Sequence, residues 1–244
     1  MPETDVLDGS RKAATADALG LSASLRAEWT REALRLHDRY EREIVDALAL
    51  CPWARGSRGG GSRRASVLLQ TAPEDLDASL ASIAALGESG GEVAFLIYPR
   101  LAVDRRAFEE FATSVREADA ARHELGQAPF VFAAFHPDAE ADVRAAERLI
   151  PFLRRTPDPT LQLLRANVLE RVRAGSPQGT QFIDPMSLDL SAPEVPAVPL
   201  REQIASANLE TIGRVGVDEV KRRLDDMRHD REVTYARLAR RGEA

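Results

Sequence analysis

Apolar positions recur along this chain in two rhythms. Leu25, Trp29, Leu36, Tyr40, Ile44 and Leu48 follow one another at spacings of four and seven, which marks one face of a long amphipathic helix. Pro52 ends it, because a proline biases the preceding residue away from helical angles. A basic, glycine-rich stretch, Arg55–Arg64, follows and reads as a flexible loop. Three short, continuous apolar runs come next: Ser66–Gln70, Val93–Tyr98 and Phe130–Phe135. Their unbroken character predicts strands covered on both faces. Helical spacing fills the gaps between them. Glu74–Leu86 carries Leu76, Leu80 and Ile83 on one face, with Thr71 and Glu74 forming a possible capping box. Asp104–His123 carries Phe108, Phe111, Val115 and Ala118, with Asp104 as the expected N-cap.

The order β-α-β-α-β, with crossovers of this length, predicts parallel strands joined right-handedly. The expected fold class is α/β: a three-stranded, mainly parallel sheet flanked by helices, with N-terminal and C-terminal helices packed around it. Asp138–Phe152 reads as a third helix returning over the sheet. After Pro157 and Pro159, Leu161, Leu164, Val168 and Val172 predict a helix over Thr160–Arg173. Residues 1–22 read as a disordered tail and 23–174 as the α/β domain. Residues 175–199 read as a linker, since Ser176–Pro199 carries five prolines. Residues 200–244 hold two helices, Leu200–Val215 and Val217–Leu238. The stripe of the last one, Val217, Val220, Leu224 and Met227, is broken by Arg231. That stripe must be buried, either on its own domain or in a homodimer.

Composition narrows the classes. The 244 residues are 44% hydrophobic and 30% charged, ordinary for a globular protein. A net charge of −6 argues against wholesale nucleic-acid binding. No apolar run is long enough to predict a transmembrane helix, and Met1–Ala16 lacks a signal-peptide core, so a cytoplasmic protein without membrane association is expected. The single cysteine, Cys51, excludes an internal disulfide framework.

In open parallel sheets, ligands gather at the carboxyl ends of the strands. Here those ends carry Gln70-Thr71, Tyr98-Pro99-Arg100 and Phe135-His136-Pro137-Asp138. His136 is suited to base or ligand work near neutral pH, or to capping a turn. Cys51 extends the buried stripe of the first helix, yet has Arg55 and Arg58 nearby to favour a thiolate. Ala54 stands where a Cys-Pro-X-Cys redox motif needs its second cysteine. Arg155 and Arg165 are candidate clamps for a carboxylate or phosphate.

Four segments together resemble a known family. They are Leu48-Ala-Leu-Cys-Pro-Trp-Ala54, Phe95-Leu-Ile-Tyr-Pro99, Ala134-Phe-His-Pro137 and Arg155-Thr-Pro-Asp-Pro-Thr-Leu-Gln-Leu-Leu-Arg165. In this order, and with Leu169-Glu-Arg171, they are similar to the motifs of a bacterial domain family of unknown function, over about Ser24–Ala174. The resemblance implies motif roles for Cys51, His136, Arg155 and Arg165. Histidines of the family pattern are replaced here by Tyr98 and Gln162, and a glutamate by Ala166, so a closed Cys/His metal site is not expected. The leading expectation is a thiol-dependent enzyme acting on a small anionic molecule. Cys51 would be its nucleophile and His136 its base, with Arg155, Arg165, Tyr98 and Arg100 binding substrate. The alternative is a non-catalytic ligand-binding or protein-interaction module with a degenerate site. Axial ligation of haem by Cys51 is a third reading; otherwise the sequence names no cofactor.

Overall fold

A computed structural model describes residues 20–51, 62–125, 127–139, 142, 144–175 and 200–242. The expected tail before residue 20, most of the basic loop and the proline-rich segment lie outside the described residues.

Helix α1 spans Ala23–Tyr40, its first turn capped by the Ser22 side chain, which accepts from the Leu25 N–H at 3.2 Å. It continues into a π-helical stretch, Glu41–Asp46. The sequence explains that widening. Apolar residues at 36, 40, 44 and 48 are four apart, and four α-helical steps overshoot a full turn by roughly 40°. A wider turn absorbs the drift and keeps Ile44 and Leu48 buried. The Leu50 N–H reaches back to Val45 O, and Ala49, at φ 50°, turns the chain out of the helix.

The sheet has four strands, not three, and is mixed. Strand β1 is Arg63–Val67, β2 Val93–Ile97, β3 Phe130–Phe135 and β4 Thr160–Arg165, in the spatial order β1-β2-β4-β3. β1 pairs parallel with β2, while β4 pairs antiparallel with both β2 and β3. The three expected strands therefore do run in one direction, but β4 is inserted among them. The helix expected over Thr160–Arg173 is corrected to a strand followed by a shorter helix, α5, at Ala166–Gly175. Leu161 and Leu163 alternate onto one fully buried face, and that pattern of two decides the segment. β1 also starts earlier than expected, taking in Arg63 and Arg64 from the basic loop.

Helices α2, Asp77–Glu88, and α3, Arg105–Ala120, cover one face of the sheet. Their Leu80, Ile83, Phe108, Phe111 and Val115 meet Ala94, Leu96 and Tyr98 of the β2 segment and Leu161 and Leu163 of β4. Asp104 caps α3 as expected, accepting from the Ala107 N–H at 2.8 Å. The capping box at Thr71 and Glu74 does not form, since α2 begins at Asp77 with no side-chain cap. On the other face, Ala33 of α1 packs on Phe95, Ile97 and Phe135. The expected third helix is trimmed to α4, Ala146–Leu153.

The C-terminal helices α6, Leu200–Val215, and α7, Val217–Gly242, pack on this body. Ile212, Val220, Leu224 and Met227 join Tyr40, Ile44, Leu149 and Phe152 in a second core. Tyr235 and Leu238 close over Leu25, Trp29 and Leu36 of α1. The apolar stripe of α7 is thus buried within its own chain.

Candidate functional site

β1, β2 and β3 run in one direction, so their carboxyl ends share one edge of the sheet, joined there by the loop that leads into β4. His136 ends β3. Its imidazole is 4% exposed and lies against Phe108 of α3. Nδ1 accepts the Asp138 N–H at 3.2 Å, so the neutral ring carries its proton on Nε2, which donates to Val103 O at 3.1 Å. Burial pushes the imidazole pKa down, outweighing the Val103 carbonyl and Asp138, which favour the cation.

Arg155 stands beside His136. The His136 N–H donates to Arg154 O, and the Arg155 Nε donates to Pro137 O at 2.8 Å. The Arg155 guanidinium lies 3.7 Å from Asp225 of α7 and over the Phe152 ring. With Pro137, Thr156, Leu224, Met227 and Arg228 it lines a shallow notch of little more than water size. Arg228 in turn pairs with Asp138 at 3.0 Å. Helix α7 therefore lies across this edge.

The other expected site residues are elsewhere. Arg165 is at the opposite end of the sheet, where its Nε donates to Gly91 O at 2.6 Å and its Nη2 to Leu86 O and Gly87 O. It satisfies the last carbonyls of α2, which have no helical partner of their own. Tyr98 faces into the core between Phe108 and Phe111, its hydroxyl 3.0 Å from the Ser79 hydroxyl. Burial raises its pKa. Cys51 is half-buried near Tyr40, whose phenol pKa is raised by burial and, to a smaller extent, by Cys51. The Tyr40 hydroxyl donates to Leu153 O at 2.5 Å. Among the described residues, no group of three or more His, Cys, Asp and Glu side chains is placed to hold a metal ion. No described helix is long and apolar enough to cross a membrane.

Two features escape the sequence reading. Asp158, set between Pro157 and Pro159, is 2% exposed. Its carboxylate accepts from the Arg231 Nε at 2.6 Å and from the Tyr235 hydroxyl at 2.7 Å. Its backbone carbonyl accepts from Thr156 and Thr160. Arg231, which breaks the α7 stripe, is thus the partner of a buried acid, and it also donates to Pro99 O at 3.2 Å. The second feature is a buried group between α1 and the sheet. His37 and Glu41 lie 3.9 Å apart, and Arg63 pairs with Glu41 and lies over the Phe95 ring. Burial lowers the Arg63 pKa to about 10. The sequence signals were an arginine inside an apolar stripe and a histidine and glutamate four apart on a helix.

An open mixed sheet between helical layers, with its strand ends crossed by a C-terminal helix, defines an α/β domain protein. The chain belongs to DUF1415, a family of proteins of unknown function, whose profile matches residues 35–184. Comparison with curated proteins and with solved structures returned no match.

Proposed function

We propose that this chain is a binding protein for a small anionic molecule, with its ligand-facing edge at the carboxyl ends of the strands, and that it works without a Cys51–His136 pair. The observation that carries this reading is the state of His136. Both ring nitrogens are engaged by backbone groups, and burial favours the neutral form. A general base needs a lone pair within reach of the proton it takes. Here the Nδ1 lone pair is already used and Nε2 carries the proton. What supports an anionic ligand is Arg100, which follows β2, together with Arg155, which lies beside His136.

The test is alkylation of Cys51, the one cysteine of the chain, by iodoacetamide across about pH 6 to 9, in the wild type and in His136→Gln. The binding reading expects the two rate profiles to superimpose. A profile whose midpoint moves in His136→Gln, or a loss of rate of about tenfold, would restore the nucleophile–base pair and refute it.

A further inference from the structure

We propose that the Arg100 guanidinium and the Trp29 indole N–H together bind a small oxyanion, a carboxylate or phosphate group, at the carboxyl end of β2. The site deepens the binding-protein reading and rests on it for the anionic ligand.

Arg100 follows β2 by way of Tyr98 and Pro99, and its guanidinium carbon lies 5.9 Å from the centre of the Trp29 ring. Among the described residues its Nη1 is buried without a hydrogen-bond partner. Burial lowers its pKa, and no acidic neighbour offsets that effect. This sets it apart from the other arginines around α7. Arg155 has Asp225, Arg228 has Asp138, Arg231 has Asp158, and Arg35 and Arg39 share Asp230. Trp29 is 6% exposed, and its indole nitrogen, a donor only, is also buried without a partner among the described residues. Two donors without partners among the described residues therefore belong to one contact, the Arg100 guanidinium over the Trp29 ring. Native proteins seldom leave such groups unpaired, because the lost hydration is not returned.

The surroundings fix the charge the site asks for. The Tyr235 ring lies 4.5 Å from that of Trp29, and both Tyr235 and Arg231 are committed to Asp158. Glu32, on the same helix as Trp29, is paired with Arg35 at 2.7 Å. Arg231 is matched by Asp158, and among the described residues no acidic side chain pairs with Arg100. An anionic group is the partner that its guanidinium calls for. The flat fork of a guanidinium matches two oxygens of a carboxylate or phosphate, and the indole N–H adds a third donor. Arg231 also holds the Pro99 carbonyl, so the backbone that carries Arg100 is fixed. Arg100 as a whole is only partly buried, and an oxyanion enters from its exposed flank as the side chain turns to take it.

The experiment follows the indole N–H resonances of the full chain by nitrogen-15 NMR. Trp53→Phe identifies the Trp29 signal, since the chain has two tryptophans. Inorganic phosphate and acetate are titrated separately, with chloride holding the ionic strength constant. The expected result is a saturable shift of the Trp29 signal with at least one of them. It should be lost in Arg100→Gln, retained but weakened several-fold in Arg100→Lys, and unchanged in Arg106→Gln, an exposed arginine of α3. A response to phosphate alone or to acetate alone supports the site and names the oxyanion. A saturable shift that survives in Arg100→Gln overturns the site and leaves the binding reading standing. If Arg100→Gln does not fold, Arg100→Lys decides: an affinity equal to wild type overturns the proposal. No saturable response to either anion overturns both the site and the anionic ligand, while Cys51 alkylation reports separately on the catalytic pair.

Discussion

Replacing Arg231 with Met tests how α7 is held. Methionine keeps an apolar stem of similar length in the stripe and removes only the guanidinium. Asp158 then stays buried with Tyr235 as its one side-chain donor. Removing one partner of a buried ion pair costs about 3–5 kcal/mol, because the remaining charge is uncompensated. Arg231 keeps 25% of its side chain exposed, so water can reach the gap and the cost is reduced to about 2–4 kcal/mol. In a domain of this length that lowers the melting midpoint by roughly 4–15 °C. The loss carries a pH signature. Burial pushes the Asp158 pKa up, and without Arg231 the largest opposing influence is gone. A folded-state pKa raised above the unfolded value of about 3.9 gives stability that is full at low pH and is lost as pH rises through the folded pKa. Arg231→Met should therefore differ least from wild type near pH 5 and most near pH 8, by urea unfolding at about those two values. A double-mutant cycle with Asp158→Asn should show losses that do not add. A deficit below about 1 kcal/mol at both pH values, or additive losses in the cycle, would refute the assignment of this pair as the anchor of α7.

Three further outcomes follow from the geometry. Burial holds the His136 pKa below the ordinary value of about 6.5, so the unfolded chain takes up the proton first, and stability should be full above that pH and fall as pH drops below it; His136→Gln should lose that acid-side slope in melting curves. Arg165→Met removes donors from Leu86 O, Gly87 O and Gly91 O and should cost about 2–3 kcal/mol in urea, with the Trp29 response to phosphate untouched. Leu161→Ala should cost about 2–5 kcal/mol, while Gln162→Ala on the other face of β4 costs under about 1 kcal/mol; equal effects would contradict the alternation that defines the strand.

Much of the fold was legible because local pattern and tertiary burial agree. The α1 and α3 stripes, the Asp104 cap and the direction of the first three strands follow from spacing alone. β4 was not legible, because its residues satisfy two periods at once. Leu161, Leu164, Val168 and Val172 fall on a helical face, while Leu161 and Leu163 fall on a strand face. Only the gap between β2 and β3, which an antiparallel strand fills, selects the second. β1 was read late for a different reason. A scan for apolar runs skips Arg63, whose charge is paired with Glu41 and whose stem lies over Phe95. A charged residue can belong to a strand when the helix above supplies its counter-charge, and that pairing is a property of the packed layers.

The candidate site was legible as anomalies but not as partners. Arg231 stands where an apolar residue belongs, and Asp158 stands between two prolines that hold the chain extended into β4. Each is costly alone and satisfied together, but 73 positions separate them and no periodicity links them. The same logic divides the arginines of the motif segments. Arg165 donates to helix-end carbonyls, and Arg155 donates to Pro137 O and faces Asp225. Arg100 has the opposite character. Its sequence neighbourhood is plain, and it is singled out because, among the described residues, no acid pairs with it once α1, β2 and α7 have packed. A positive charge that folding leaves unbalanced beside a buried, unpaired indole N–H is better explained by a partner outside the chain than by packing inside it.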